Sequence, residues 1–413
     1  MIAAVFVFLL GYAGIVFEHK FFDKAATAIL TGVICWGLYF LLGEGADKEK
    51  IAALSEHLSD ISQVVFFIIG AMLIVEVIDS HRGFSFIEKL MKIESKTMIF
   101  WILFASGFFL SSILDNLTTL IVMVSLYKKL IPERKERLFL SASLVAVVNA
   151  GGAWTPIGDI TTTMLWIADR ISTVSIMTKL FIPSVVSALI VGLFVKNKVN
   201  IPNRIESKEE QKHEPYSTLI LILGLFCLIN VPILKALIGL PPFMGILFGV
   251  GILWAVTDII HYKDENAKHL RIQQILPKID FSVALFFLGI LLAVDALESF
   301  GALKSLAEWV RVVFPSENVF AAVLGIISAI VDNVPLVAAT IRMFGLDVYP
   351  RDHHIWNMLA FCVGVGGSLL VIGSAPGIAL MSLEKINFTW YFKNMTLIVF
   401  ISYVIGTCIA ALL

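Results

Sequence analysis

Ten stretches of roughly twenty residues, each apolar and nearly free of charge, recur along the 413-residue chain. They fall at about 2–17, 25–42, 61–78, 137–170, 178–195, 217–234, 242–260, 281–297, 355–382 and 390–412, the fourth and ninth interrupted. About twenty residues of helix cross the hydrocarbon of a bilayer. In that medium every backbone polar group has to pair within the chain, which leaves α-helices for runs of this kind. The composition agrees, with mean hydropathy +0.91 and 15% charged residues, against about a quarter in soluble chains. The expected fold is an all-α polytopic membrane protein. A net charge of −1 without a basic block excludes nucleic acid as a partner and leaves the lipid bilayer as the surroundings. The opening run lacks a positive start and a small-residue cleavage site, so it reads as a retained span. The four cysteines (Cys35, Cys227, Cys362, Cys408) all lie in apolar segments without a CxxC, as small buried hydrophobes do.

Two further apolar stretches, 97–130 and 318–345, carry an Asp-Asn pair at their centres: "SSILDNLTT" (111–119) and "SAIVDNVPL" (328–336). Each reads as a re-entrant hairpin of two half-length helices meeting at a polar tip. The alternative is one long tilted helix with a buried polar pair. The two stretches also belong to a repeat with an offset near 217. Gly32 falls on Gly249, "FFIIGAMLIVEVIDS" (66–80) on "LFFLGILLAVDALES" (285–299), Asp115-Asn116 on Asp332-Asn333, and "GGAWTPIGD" (151–159) on "GGSLLVIGS" (366–374). A first repeat over 1–196 and a second over 216–413 then flank a hydrophilic cytoplasmic linker at 197–215. Each repeat crosses the membrane five times, and an odd number turns the second upside down, as in many secondary transporters. That topology puts 22 of the 31 basic residues on one side. The richer side is cytoplasmic, so both termini are expected outside a plasma (inner) membrane. Segments 84–96 and 301–313 are amphipathic and are expected in the interface plane, as arms between a fixed and a moving part.

A charged side chain at the bilayer centre costs about 2.5–3.5 kcal/mol on insertion scales, which makes Asp115 and Asp332 site candidates. A carboxylate capping a half-helix is the structural alternative, and it does not exclude ligation by the second oxygen. "NAGGAWTPIGDITT" (149–162) and "GVGGSLLVIGSAPG" (364–377) cannot hold a regular helix. Asn149, Thr155, Asp159, Thr161 and Thr162 stand around the first break, Ser368 and Ser374 at the second. A Gly-rich packing seam would account for the glycines but not for Asp159. These parts are hard oxygen ligands, and no His, Cys, Arg or Lys lies in the four stretches, so the pocket suits a small cation. A carboxylate there holds either a proton or Na⁺, and that competition suffices for exchange. Glu76 and Asp295, each three residues from a second acid, sit near span ends; they read as snorkelling groups or as an ion-access route. The eight histidines fall in loops or near span ends and read as solvated. There is no nucleophile–base set, P-loop or zinc motif, so an enzyme is not indicated and no cofactor is expected.

At "SSILDNLTT", "NAGGAWTPIGDITTTMLW" and "SAIVDNVPL" the chain resembles the NhaD-type Na⁺/H⁺ antiporters of the ion transporter superfamily. The resemblance runs over essentially the whole chain and is looser in the second repeat. It implies exchange of Na⁺ or Li⁺ for H⁺, with Asp115, Asn116, Thr118, Asn149, Asp159, Thr161, Thr162, Asp332 and Asn333 functional and Ser111, Ser328, Ser368 and Ser374 following. Na⁺ would then lie among Asp115, Asn116, Asn149 and Asp159. The wider superfamily implies a homodimer formed through scaffold helices and elevator-like movement of the hairpins, broken spans and final spans. Dicarboxylate carriers and arsenite-type permeases of the same superfamily are the rival readings.

Overall fold

The computed structural model describes residues 1–16, 23–87, 95–131, 133–199, 214, 216–262, 264–314 and 316–413. The helices are α1 (Ile2–Val16), α2 (Lys24–Leu42), α3 (Asp47–Ser80), α4 (Lys96–Ser111), α5 (Asn116–Leu130), α6 (Arg134–Gly152), α7 (Ile160–Ile167), α8 (Thr173–Lys196) and α9 (Ser217–Ile238). After them come α10 (Pro242–Ile260), α11 (Phe281–Ser299), α12 (Ala302–Val313), α13 (Glu317–Ile327), α14 (Asn333–Met343), α15 (His354–Gly366), α16 (Ala375–Glu384), α17 (Phe388–Asn394) and α18 (Thr396–Leu412). Only short helical pieces of three to six residues interrupt the described loops, and no strand occurs among the described residues. Six helices (α2, α3, α8, α9, α10 and α11) are individually long and apolar enough to cross a bilayer. The interrupted spans are split, as their Gly and Pro residues dictate, into α6 with α7 and α15 with α16.

Both Asp-Asn stretches form hairpins. Gly192 of α8 packs on Phe104 of α4, and Lys198 just past α8 lies over the Phe139 ring of α6. The start of α6 and the end of α5 meet at the same place: Arg137 Nε donates to Glu384, and Lys128 Nζ donates to the Leu383 carbonyl. Thus α4 starts and α5 finishes at one end of the bundle, with the break at 112–115 deep inside. In the second half His354 Nε2 lies 2.9 Å from Asn318 Oδ1, and the Phe344 ring stacks edge-on to Phe320. The start of α13 and the end of α14 therefore also share one end.

The two halves repeat their packing relations and trade partners. Within each half, the first hairpin arm lies on the first half of the broken helix: α4 on α6 and α13 on α15. Between halves, the second hairpin arm lies on the far half's second piece: α5 on α16 and α14 on α7. The long helices do the same, α2 against α11 and α10 against α3. The α2–α11 crossing is close because Gly32 faces the Gly289 carbonyl; a Cβ on Gly289 would come within 2.4 Å of Ala28 and Ile29 backbone atoms. Small residues at such crossings let backbones approach without side chains between them.

Several expectations are corrected here. The third span, expected at 61–78, is the later part of α3, which runs over 34 residues, about 51 Å at 1.5 Å per residue. Residues 47–60 are polar, which hides them from hydropathy, yet they contain neither Gly nor Pro and continue the helix. The last span bends by 58° between α17 and α18. Cys408 is exposed, while the other three cysteines are buried. Two histidines expected to be solvated are fully buried: His81, capping α3, and His261, capping α10, face each other with Nε2 atoms 3.1 Å apart. His81 Nδ1 lies 2.8 Å from the Val77 carbonyl, so it carries the proton and Nε2 accepts from His261. The second expected arm is seen as α12, whose Leu303, Ala307 and Val310 are buried on one face. The first arm (84–96) lies mostly outside the described residues, as does the linker at 197–215.

Candidate functional site

Four half-helices begin at one cavity of about 430 Å³, and the N-cap residue of each lines it: Asp115 for α5, Asp159 for α7, Asp332 for α14 and Ser374 for α16. The first N–H groups of a helix have no partner within it. Asp115 Oδ1 accepts from the Thr118 amide at 2.8 Å, and its Oδ2 accepts from the Thr118 hydroxyl. Asp159 Oδ1 accepts from the Thr161 amide at 3.3 Å, and Asp332 Oδ1 from the Val334 amide at 3.1 Å. Ser374 makes no side-chain cap bond; Pro376, in the first turn of α16, brings no N–H that needs one.

An amide relay ties the halves together beneath the carboxylates. Asn116 Nδ2 donates to Asn149 Oδ1 at 3.0 Å. Asn149 Nδ2 in turn donates to Ser368 Oγ at 2.8 Å and Ser374 Oγ at 3.1 Å. Asn149 and Ser368 are fully buried, and neither lines the cavity directly.

Three buried oxygens at this junction have no hydrogen-bond partner: Asp159 Oδ2, Thr161 Oγ1 and Asn333 Oδ1. A buried acceptor without a donor costs about 1–3 kcal/mol. Gly364 of α15 gives two of them room. A Cβ there would stand 3.1 Å from Asp159 Oδ2 and 3.6 Å from Thr161 Oγ1. Asn333 lies beside Gly367 in the same way.

The remaining sequence candidates have other places. Ser111 Oγ donates to the Val148 carbonyl at 2.6 Å, and Ser328 Oγ donates to the Gly325 and Val363 carbonyls. Each fastens its hairpin to the broken helix. Thr162 Oγ1 donates to the Asp159 carbonyl within the first turn of α7. Glu76 accepts from Ser80 near the far end of α3 and is not among the cavity residues. Asp295 pairs with Arg342 away from the cavity. Sequence reasoning missed six polar residues that packing brings in, Thr163 and Ser282 of the cavity lining among them. Asp23, Lys24 and Asp280, at the starts of α2 and α11, line the cavity, and Tyr12 Oη accepts the Asp332 amide at 2.6 Å. Asp23 and Asp280 cap their helices through bonds to Ala25 and Ser282. An Asp just before an apolar run is a capping signal, but nothing local says that it faces a cavity. With these, the lining holds five aspartates and one lysine. It runs from the hairpin tips to the ends where α2 and α11 start.

A family model described as "Citrate transporter" matches residues 12–346. The chain is 45% identical over 416 residues to "Sodium/proton antiporter 1" of Arabidopsis thaliana, covering 98% of this chain and 71% of that one. It is 29% identical over 448 residues to "Na(+)/H(+) antiporter NhaD" of Vibrio cholerae serotype O1, covering 100% and 91%. Among solved structures, the YdaH transporter of Alcanivorax borkumensis superposes with a TM-score of 0.58 at 12% identity, over 98% of both chains. That structure is described as having an unusual topology, and the likeness extends to the fold.

Proposed function

The chain belongs to the NhaD-type sodium/proton antiporter family of the ion transporter superfamily, and on that premise we propose that it exchanges Na⁺ or Li⁺ for H⁺ at the cavity of the four half-helices. The observation that carries the reading is the set of unpartnered acceptor oxygens among three convergent carboxylates. Each helix N-terminus contributes about half a positive charge. Four give about +2 against the −3 of Asp115, Asp159 and Asp332. The deficit is about one positive charge, which one Na⁺ or one proton fills, and the two ions compete for the same oxygens. Asp115, Asn116, Thr118, Asp159, Thr161, Asp332, Asn333 and Ser374 hold the ion, while Asn149 and Ser368 set the amide relay. No cofactor takes part.

The reciprocal packing supports two inverted repeats. In this reading α1–α3 and α9–α11 form the scaffold and the homodimer contact. The hairpins, the broken helices, α8 and α18 move as an elevator. The basic-rich face is cytoplasmic and both termini face outward from a plasma membrane, so the cavity opens to the cytoplasm. Exchange of this kind serves sodium tolerance and pH homeostasis.

The family model's description favours a second reading, a citrate-type anion carrier. Five aspartates against one lysine in the lining oppose a polyanion. Proton flux in proteoliposomes, read with an acridine dye, separates the two: Na⁺ gradients drive it and citrate or arsenite gradients do not. Asp115→Asn is expected to abolish it. Full flux in that variant removes Asp115 from the mechanism.

A further inference from the structure

The second arm of hairpin two, α14, separates two cavities. Its first residues, Asn333 and Val334, line the ion cavity. Its last turns, with Ala338, Ile341 and Arg342, line a second cavity of about 350 Å³ between α14, α7, α3 and α11. At that far end Arg342 reaches over to the long helices. Its Nε is 3.0 Å from Asp295 Oδ1 and 3.2 Å from Glu298 Oε2, both on α11. Its Nη2 is 3.3 Å from Asp60 Oδ2 on α3 and 3.3 Å from Asp295 Oδ2. Asp295 and Glu298 are three residues apart, which puts both on one helix face. His57 of α3 completes the cluster, with Nδ1 3.3 Å from Asp295 Oδ2 and Nε2 3.3 Å from Ser299 Oγ.

The charges are divided between two bodies. All three carboxylates sit on α3 and α11, and the guanidinium sits on the hairpin. Bidentate guanidinium–carboxylate contacts are strong and directional, and they are lost once the groups part by a few ångströms. Sliding one element past another by a single helical turn, about 5.4 Å, is enough. The Asp295 side chain is only 3% exposed, so it needs another partner when Arg342 leaves, and His57 already stands beside it.

We infer that Arg342 and the carboxylates Asp60, Asp295 and Glu298 form a charge latch between hairpin two and the scaffold. The latch holds α14 as the wall that closes the ion cavity toward the basic-poor end, and it opens in each transport cycle. This rests on the division into scaffold and moving body proposed above. Arg342 is a positioning residue and does not touch the ion.

The test uses the full chain in liposomes, in a Cys408→Ser background, because the other cysteines are buried. Ile121→Cys supplies the reporter. Ile121 is 41% exposed, lines the ion cavity and sits on the moving hairpin. An impermeant maleimide is added from the face to which the cavity opens. Arg342→Ala is expected to slow labelling about fivefold or more as the population leaves this state. Arg342→Lys, which keeps the charge without the fork, is expected to fall between. Asp60→Asn is expected to slow labelling less, in the same direction; its side chain is 53% exposed, so it folds even where Arg342→Ala does not. Labelling rates within about twofold of the parent in the folded variants overturn the latch. A residue that only stabilises the fold would lower the melting temperature without moving accessibility. Labelling requires no ion flux, so a parent protein that fails to exchange Na⁺ for H⁺ sinks the transport reading alone.

Discussion

Replacing Asp159 by Asn separates the two duties of one carboxylate. Oδ1 caps α7 through the Thr161 amide, and Oδ2 is buried without a partner. Asn is as good an N-cap as Asp, and it keeps the oxygen that faces Thr161. Only the favourable placement of a negative charge at a helix N-terminus is lost, about 0.3–1 kcal/mol. The melting temperature is therefore expected to move by a few degrees at most. The ion feels a much larger change. A unit charge about 2.5 Å from a carboxylate gains about 7 kcal/mol at an effective dielectric of 20. Stripping water from the ion offsets much of this, and Asp115 and Asp332 still attract it. A net loss of about 2.7 kcal/mol corresponds to a hundredfold weaker apparent Na⁺ affinity. Na⁺-dependent proton flux in proteoliposomes, measured over a wide Na⁺ range beside thermal unfolding in detergent, reads both quantities. The reasoning is refuted by a Na⁺ dependence shifted less than about threefold together with a protein that melts many degrees lower. That pattern belongs to a purely structural cap.

Two further outcomes follow from the geometry. Gly364→Ala adds a methyl group 3.1 Å from Asp159 Oδ2 without removing any charge; about a tenfold rise in the Na⁺ concentration for half-maximal flux is expected, with the larger Li⁺/Na⁺ discrimination that a smaller pocket brings. Burial pushes the His81 imidazole down to about 4 from its ordinary 6.5, so the folded state stays neutral where the unfolded chain takes up a proton. Its contribution is complete above pH 6.5 and is lost as pH falls toward 4, reaching about 2 kcal/mol at pH 5. Thermal unfolding from pH 7.5 to 5 should show this slope, and the double variant His81→Leu, His261→Leu should flatten it.

The hairpins were readable because an Asp-Asn pair at the centre of an apolar run is too costly in lipid unless the chain turns there. The broken helices were readable because Gly151-Gly152, Pro156 and Gly158 leave no regular helix. Both signals are local. What stayed hidden depends on contacts between distant segments. His81 and His261 are 180 residues apart, and each alone looks like a span-end histidine. Tyr12 gives no sign in its apolar run that its hydroxyl meets the tip of a hairpin 320 residues later. Asp295 looked like a span-end acid because its partner Arg342 sits on another element. The length of α3 was missed for a different reason: hydropathy measures affinity for lipid, while helix continuity depends on backbone preference.

The exchange of partners between halves also bears on how the protein is made. A ribosome that has delivered residues 1–196 has produced a hairpin whose second arm still lacks α16 and an Asn149 amide with no serine to receive its hydrogens. Asn116 and Asn149 must then wait in the nascent chain, already inserted and with their relay unfinished, until translation passes residue 375. The interval is a natural point for quality control, and a stalled or truncated product yields no half-strength carrier.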